Sequence, residues 1–475
     1  MNTAAETEAR PRKAAHPTRE ERVARGKAAR AQVPLEAHAS VVLDGRPDPV
    51  ALLESQAASR VAELVPIRYG RMSTSAFAFY RGAALVMATD LQAGESSGLK
   101  VQLCGDAHMS NFGVFGSPER HLLFDINDFD ETAPGSFEWD VKRLAASLEI
   151  AGRTNGFKRK VRRAIVLSAV ENYRGAMRSF AESGNLDVWY ARLDIDQAFK
   201  DIRGMLTLEG ARRTEAAITK ARTRDSMTAL SKLTTQVDGH PRIVGEPPLI
   251  ETIETLFPGR DREDVMHEMR VLVRSYRSSL PSDRRHLIED YQLVDMARKV
   301  VGVGSVGTRC WILLMQGVDG SDPLFLQAKE AGPSVIELVT GSVRRGQSGQ
   351  RVVQGQRLMQ AASDIFLGYQ RVTGVDDVER DYYLRQLRDW KMSLPPELME
   401  VAGMTVYGRM CGWTLARAHA RSGDRVAIAA YLGRKDAFDN AIADYAATYA
   451  DQNESDHAAL VEAISSGRVQ AVTGL

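Results

Sequence analysis

The chain has 475 residues, 44% of them hydrophobic, enough to bury a large core in roughly two to four structural units that fold as one enzyme. Lys and Arg total 62 against 61 for Asp and Glu, a balance that gives no reason to expect the broad basic surface of a nucleic-acid binder and makes any phosphate site local. The three cysteines, Cys104, Cys310 and Cys411, lie far apart in apolar stretches, which reads as reduced buried thiols in a cytoplasmic protein rather than a disulfide framework or zinc site.

Residues 1–35 are rich in Ala, Arg, Lys and Glu without a continuous apolar run, so they are expected as a solvated tail, not a signal peptide or membrane span. Helical spacing follows over 49–64 and again over 77–91. Residues 99–103 and 121–126 are short Val-, Leu- and Phe-rich runs bounded by turn formers, and they predict buried strands flanking a loop. A helical region starts at 141 and continues with breaks to about 233. Gly239, Pro241, Gly245, Pro247 and Pro248 then interrupt the pattern, after which helices are expected over 262–279 and 282–298. From 300 to 329 the period becomes strand-like, and the runs 311–315 and 324–328, joined by 317–323, predict a hairpin. Helix is expected over 350–366, strand over 382–390, and helix over 401–420 and 435–450. No repeat of solenoid period occurs.

Chemistry concentrates in Cys104-Gly105-Asp106-Ala107-His108-Met109-Ser110-Asn111, which follows a predicted strand. Phosphoryl transfer asks a protein mainly to place a hydroxyl, a magnesium ion and a phosphate chain, and one loop bearing a carboxylate and an amide supplies two of the needed groups. The next strand runs into Asp125-Ile126-Asn127-Asp128-Phe129-Asp130-Glu131, which puts Asp128 beside Asn111 as a second magnesium ligand, with Asp130 in the same metal set.

The Asp-x-His-x-x-Asn loop, the short strand, the Asp-Phe-Asp turn and Trp139-Asp140 together resemble the catalytic half of aminoglycoside and choline phosphotransferases. That resemblance implies that Asp106 is the catalytic base, that Asn111 and Asp128 bind magnesium, and that Asp140 supports the loop. The family usually has His where Cys104 stands. Phe79-Tyr80-Arg81-Gly82, the acidic loop, the 127–131 turn and Trp139-Asp140-Val141-Lys142-Arg143-Leu144-Ala145 resemble more closely the bacterial family called domain of unknown function 2252, whose name implies no activity. Gly105-Asp106-Ala107-His108 also resembles the first metal motif of binuclear phosphoesterases. That family needs a later Gly-Asn-His triplet, which the sequence lacks, so His108 is expected to stabilise the catalytic loop rather than to ligate metal.

Gly302-Val303-Gly304-Ser305-Val306-Gly307 precedes the first strand of the hairpin, and the second strand ends in Lys329. A Rossmann turn would lead into a helix; a glycine loop followed by a strand lysine is the arrangement by which protein kinases hold nucleotide phosphates. The Gly302, Gly304, Ser305 and Gly307 backbone and Lys329 are therefore the candidate nucleotide site, with Glu337 the first carboxylate placed on a helix to partner the lysine. The segment 415–420 is similar to the helix before the catalytic loop of aminoglycoside phosphotransferases. Arg68, Arg71 and Arg81, beside Tyr69 and Tyr80, form a basic cluster for which structural ion pairing is the expected role and steering of an anionic substrate the alternative.

The expectation is an α+β, protein-kinase-like fold of two lobes, resembling aminoglycoside phosphotransferases but circularly permuted, because Lys329 comes after Asp106 in the chain. Residues 36–299 form a helical catalytic lobe, 300–392 a strand-rich nucleotide lobe, and 393–475 helices that complete the catalytic lobe. The expected function is transfer of the terminal phosphate of ATP, with Mg2+, to a hydroxyl-bearing small molecule or protein. A non-catalytic nucleotide-binding regulator and a nucleotidyl (AMP) transferase are the alternatives. No nucleic-acid or membrane partner is expected, and the acceptor and oligomeric state stay open.

Overall fold

Alternation of buried side chains fixes the largest sheet. In strand Cys310–Gln316, Leu313 and Met315 point into one apolar cluster while Ile312 and Leu314 point into another on the opposite face. Strand Pro323–Ala331 repeats the pattern, with Leu324, Leu326 and Ala328 on one side and Phe325 on the other. The two strands form the expected antiparallel hairpin, with Cys310 opposite Lys329. In the computed structural model, which describes residues 16–342, 346–374, 376–387, 390–392 and 395–475, this hairpin is the centre of a six-stranded antiparallel sheet.

The strand order across the sheet is Gly368–Thr373, Glu379–Gln386, Pro323–Ala331, Cys310–Gln316, Gln292–Lys299, Ile250–Thr252. Helix Arg262–Tyr276 packs on one face through Val265, Met266, Val273 and Tyr276, and helix Ser226–Leu233 covers the other through Ala229 and Leu233. The sheet thus begins well before residue 300. The helix expected over 282–298 stops at Glu289, and Gln292–Lys299 is a strand instead. Its residues carry ordinary helix formers, but pairing to Cys310–Gln316 and burial of Leu293 and Met296 on one face override that local preference. The strand expected over 382–390 is Glu379–Gln386; residues 388–389 lie outside the described ones.

The rest of the chain is mostly helical. Helices Glu138–Thr154, Arg159–Glu182, Val401–Ser422 and Ala437–Ser465 share one core with strands Lys100–Leu103, Phe112–Gly116 and Leu122–Ile126. Close approach of Val401–Ser422 to Arg159–Glu182 depends on Gly412, where a Cβ would lie 2.2 Å from the Ala169 carbonyl oxygen. The helix expected over 77–91 is two, Ala76–Gly82 and Ala84–Ala93. The helix expected over 49–64 ends at Ala57, with a short 3-10 turn at Ala62–Leu64.

Most of the expected N-terminal tail is ordered. Residues 1–15 lie outside the described ones, but Arg19–Gln32 is a helix opened by a Thr18–Glu21 capping box. Gly26 and Ala29 face the chain, and a Cβ on Gly26 would meet the Ala427 carbonyl oxygen at 2.1 Å. A stripe of small residues, not of large apolar ones, makes that contact, which is why the composition reads as solvated. All three cysteines are buried and unpaired. Among the described residues no helix is long and apolar enough to cross a membrane.

Candidate functional site

Strand Lys100–Leu103 delivers the chain to the acidic loop, and Gly105 turns it there with φ +81. Only glycine fits, because a Cβ would sit 2.0 Å from the Glu131 carbonyl oxygen. Asp140, buried in the first turn of helix Glu138–Thr154, fastens the loop: its carboxylate accepts the Cys104 N–H at 2.8 Å and the Gly105 N–H at 3.1 Å. His419 Nε2–H donates to the same carboxylate at 3.2 Å, and its Nδ1 accepts a hydrogen bond from the Tyr173 hydroxyl at 2.8 Å. Asp140 therefore positions the loop without reaching the cleft.

Asp106 lines a cavity of about 520 Å³ together with His108, Asn111, Asp128, Asp130, Gly302, Gly304 and Ser305. Its Oδ1 accepts Arg143 Nε at 2.9 Å and Nη2 at 2.7 Å, and Arg143 in turn stacks on the Tyr80 ring at 3.9 Å. Oδ2 has only long contacts, 3.4 Å from Asn111 Nδ2 and 3.6 Å from His108 Nε2. The same Asn111 amide donates to the Asp106 carbonyl at 2.9 Å, which leaves its own oxygen free of that bond. His108 is buried, and burial, helped by Arg143 and Arg81, pulls its pKa down to about 4, so it is neutral at pH 7.

Lys329 reaches the acidic turn from the neighbouring sheet. It is buried, and its Nζ lies 2.6 Å from Asp130 Oδ2 and 3.6 Å from Asp128 Oδ2. Burial opposes both charges, yet Lys329 is held well above its ordinary value by the two carboxylates, while Lys329 and Arg385 draw Asp128 down to about 2. Asp130, expected among the metal ligands, spends its second oxygen on the Tyr383 hydroxyl, so its part is to seat the lysine. Glu337, expected as the lysine's partner, stands elsewhere. It closes the Ser334 capping box and lies 3.3 Å from Arg351 Nε, because Asp130 already occupies the lysine.

The 302–307 loop precedes strand Cys310–Gln316, as expected, but follows strand Gln292–Lys299 and not a helix, and Gly302, Gly304 and Ser305 face the cleft. Gly307, at φ +91, instead packs on Arg60, where a Cβ would meet Arg60 Cβ at 3.0 Å. Among the described residues none of the basic cluster pairs with an Asp or Glu, against the ion pairing expected for it: Arg68 and Arg81 line the cleft, and Arg71 binds the Gly302 carbonyl at 2.6 Å and the Leu475 oxygen at 3.2 Å. Sequence reasoning passed over Arg143, Arg60, Tyr383 and His419. Arg143 lies in the Trp139 to Ala145 motif and His419 in the 415–420 segment, which were signals; Arg60 and Tyr383 come from distant segments and carry none.

Helix Val401–Ser422 lies beside strand Lys100–Leu103, with the Gln102 N–H donating to Ser422 Oγ at 3.2 Å. Arg417 on that helix makes a fully buried pair with Asp125 at 2.6 Å.

The chain belongs to the family described as an uncharacterized protein conserved in bacteria (DUF2252), whose model matches residues 60–463. Comparison with curated proteins found no match, and neither did comparison with solved structures.

Proposed function

We propose that the chain is an ATP- and magnesium-dependent phosphotransferase with a kinase-like, circularly permuted fold. One observation carries the reading: Lys329, from the strand after a glycine loop, is ion-paired to the Asp128–Asp130 turn on the cavity that Asp106 and Asn111 also line. Glycine loop, following strand and lysine strand come in the order used by protein kinases. In this reading the six-stranded sheet is the nucleotide lobe, and the 393–475 helices return to complete the catalytic lobe.

The donor set suits magnesium. Asn111 and Asp128 are hard oxygen ligands, and Asp128 stays ionised at any physiological pH. Among the described residues no group of three or more His, Cys, Asp or Glu is placed to cage a metal alone, but magnesium carried by a triphosphate takes only one or two protein oxygens. When bound, magnesium and ATP supply charge neutralisation and the phosphoryl group. Lys329 and the N–H groups of the 302–307 loop hold phosphate oxygens. Arg143 fixes Asp106 through Oδ1, which leaves Oδ2 to orient the acceptor hydroxyl and take its proton as the oxygen–phosphorus bond forms and ADP leaves.

The test is incubation of the protein with labelled ATP, magnesium and a cell metabolite extract, read by mass spectrometry. Added phosphate on one acceptor, abolished in Asp106→Asn while nucleotide binding survives, is the expected result. Added AMP would replace phosphoryl by nucleotidyl transfer, and absence of ATP binding would overturn the reading.

A further inference from the structure

The cavity's other wall is built by residues 55–85, and its charge is unbalanced. Arg68 is fully buried; its Nη2 donates to Gln56 Oε1 at 2.9 Å and to the Gly82 carbonyl at 3.0 Å, while Nε and Nη1 have no partner. Arg60 donates Nη1 to the Val306 carbonyl, and the Nε atoms of Arg60 and Arg81 are likewise buried without a partner. All three line the cavity. Among the described residues none of the three makes an ion pair, whereas the buried Arg143, Arg351 and Arg417 lie beside Asp106, Glu337 and Asp125.

A guanidinium does not shed its proton, so a buried one without an anion is destabilising. Burial pulls all three below the ordinary arginine value. A second feature points the same way. Helix Ala84–Ala93 starts at Ala83 with no side-chain cap, and Gly82, Ala84 and Leu85 line the same cavity, so the positive end of a helix opens beside the arginines.

We infer that Arg60, Arg68, Arg81 and this helix terminus bind a phosphate-class oxyanion carried by the acceptor, an inference that rests on the transferase reading. The substrate is then a hydroxyl compound that already bears a phosphate-like group. The nucleotide's phosphates have the same chemistry, but that reading seats them at Lys329 and the glycine loop. Arg81 is assigned to the acceptor end because it lines the cavity together with Asp106, which in that reading orients the hydroxyl.

Calorimetry on the full chain with inorganic phosphate, with and without saturating Mg-ADP, tests this. Phosphate is expected to bind in both conditions and to weaken by about tenfold in Arg81→Gln and by more in Arg68→Gln, with ADP affinity unchanged. Arg81 makes no ion pair that holds the fold, so its variant stays informative if Arg68→Gln fails to fold. No phosphate binding, or binding indifferent to both variants, overturns the inference. So does displacement of phosphate by ADP with the variants weakening both, which assigns the arginines to the nucleotide. Arginine-dependent phosphate binding in a protein that binds no ADP would instead uphold the anion site and overturn the transferase reading.

Discussion

Asp140→Asn isolates what holds the acidic loop, because it keeps the side-chain shape and changes only charge and one acceptor. The carboxylate receives three hydrogens: Cys104 N–H and His419 Nε2–H on Oδ2, Gly105 N–H on Oδ1. An asparagine oxygen placed at Oδ2 keeps two of them as neutral bonds, and its NH2 then faces the Gly105 N–H. One buried donor left unpaired costs about 1–3 kcal/mol, and two bonds losing their charge assistance cost about 0.5–1 kcal/mol each, so the total is about 3 kcal/mol. The loop cannot relax past the fault, because Gly105 is wedged against the Glu131 carbonyl. Urea unfolding followed by circular dichroism reads the stability, and hydrogen exchange over residues 100–111 reads the loop. Stability is expected to fall by about 3 kcal/mol with exchange rising chiefly in that segment, while His419→Gln, which disturbs only one of the three bonds, costs about 1 kcal/mol. A loss below about 1 kcal/mol in Asp140→Asn with loop protection intact would refute the reasoning.

Three further outcomes are expected. Lys329→Ala removes the charge between Asp128 and Asp130 and should weaken ATP by at least about tenfold while leaving adenosine unchanged in calorimetry; equal loss for both ligands would take the lysine out of the phosphate site. Arg46, nearly buried, bridges Asp90 at 2.7 Å and Asp456 at 2.6 Å, so Arg46→Ala should cost about 3–5 kcal/mol in denaturant unfolding, and a cost under about 1 kcal/mol would mean that water compensates the two carboxylates. His38 is pulled down to about 3 by burial and then by Lys142, so the folded state holds it neutral while the unfolded chain protonates it below pH 6.5. Stability from this group is complete above pH 6.5 and falls by about 1.4 kcal/mol per unit below it, about 2 kcal/mol by pH 5; melts of His38→Gln should lose that slope, and an unchanged slope refutes the assignment.

The parts legible in the sequence are those whose signal is local. The hairpin of Cys310–Gln316 and Pro323–Ala331 shows itself by alternation, and the acidic loop by the spacing of Asp106 and Asn111 after an apolar run. Strand Gln292–Lys299 was missed because Gln292, Met296, Ala297 and Arg298 suit a helix, and only a partner strand decides otherwise. The helix Arg19–Gln32 was missed because glycine and alanine do its packing. Glu337 was chosen as lysine partner for its nearness in sequence, whereas the carboxylate that takes the lysine lies 199 residues away. The arginine wall is of the same kind: Arg68 and Arg81 are visible as charges, but that they lack carboxylates is a property of the assembled cavity.

Chain order is the strongest objection to the transferase reading, since the nucleotide-binding parts of a kinase precede its catalytic loop, whereas here the glycine loop and Lys329 follow Asp106. A permuted chain answers the objection only if the separated segments touch where an unpermuted one would have joined them. Three contacts meet that condition. His419 donates to Asp140, the residue that fastens the acidic loop, and Ser422 accepts from Gln102 on the strand entering it. Arg417, two residues before His419, neutralises Asp125 on the strand that leads to the Asp128 turn. Helix Val401–Ser422 thus braces both halves of the acidic site, as a helix placed directly before the loop in sequence would do. Permutation leaves such contacts intact because packing depends on proximity and not on connection.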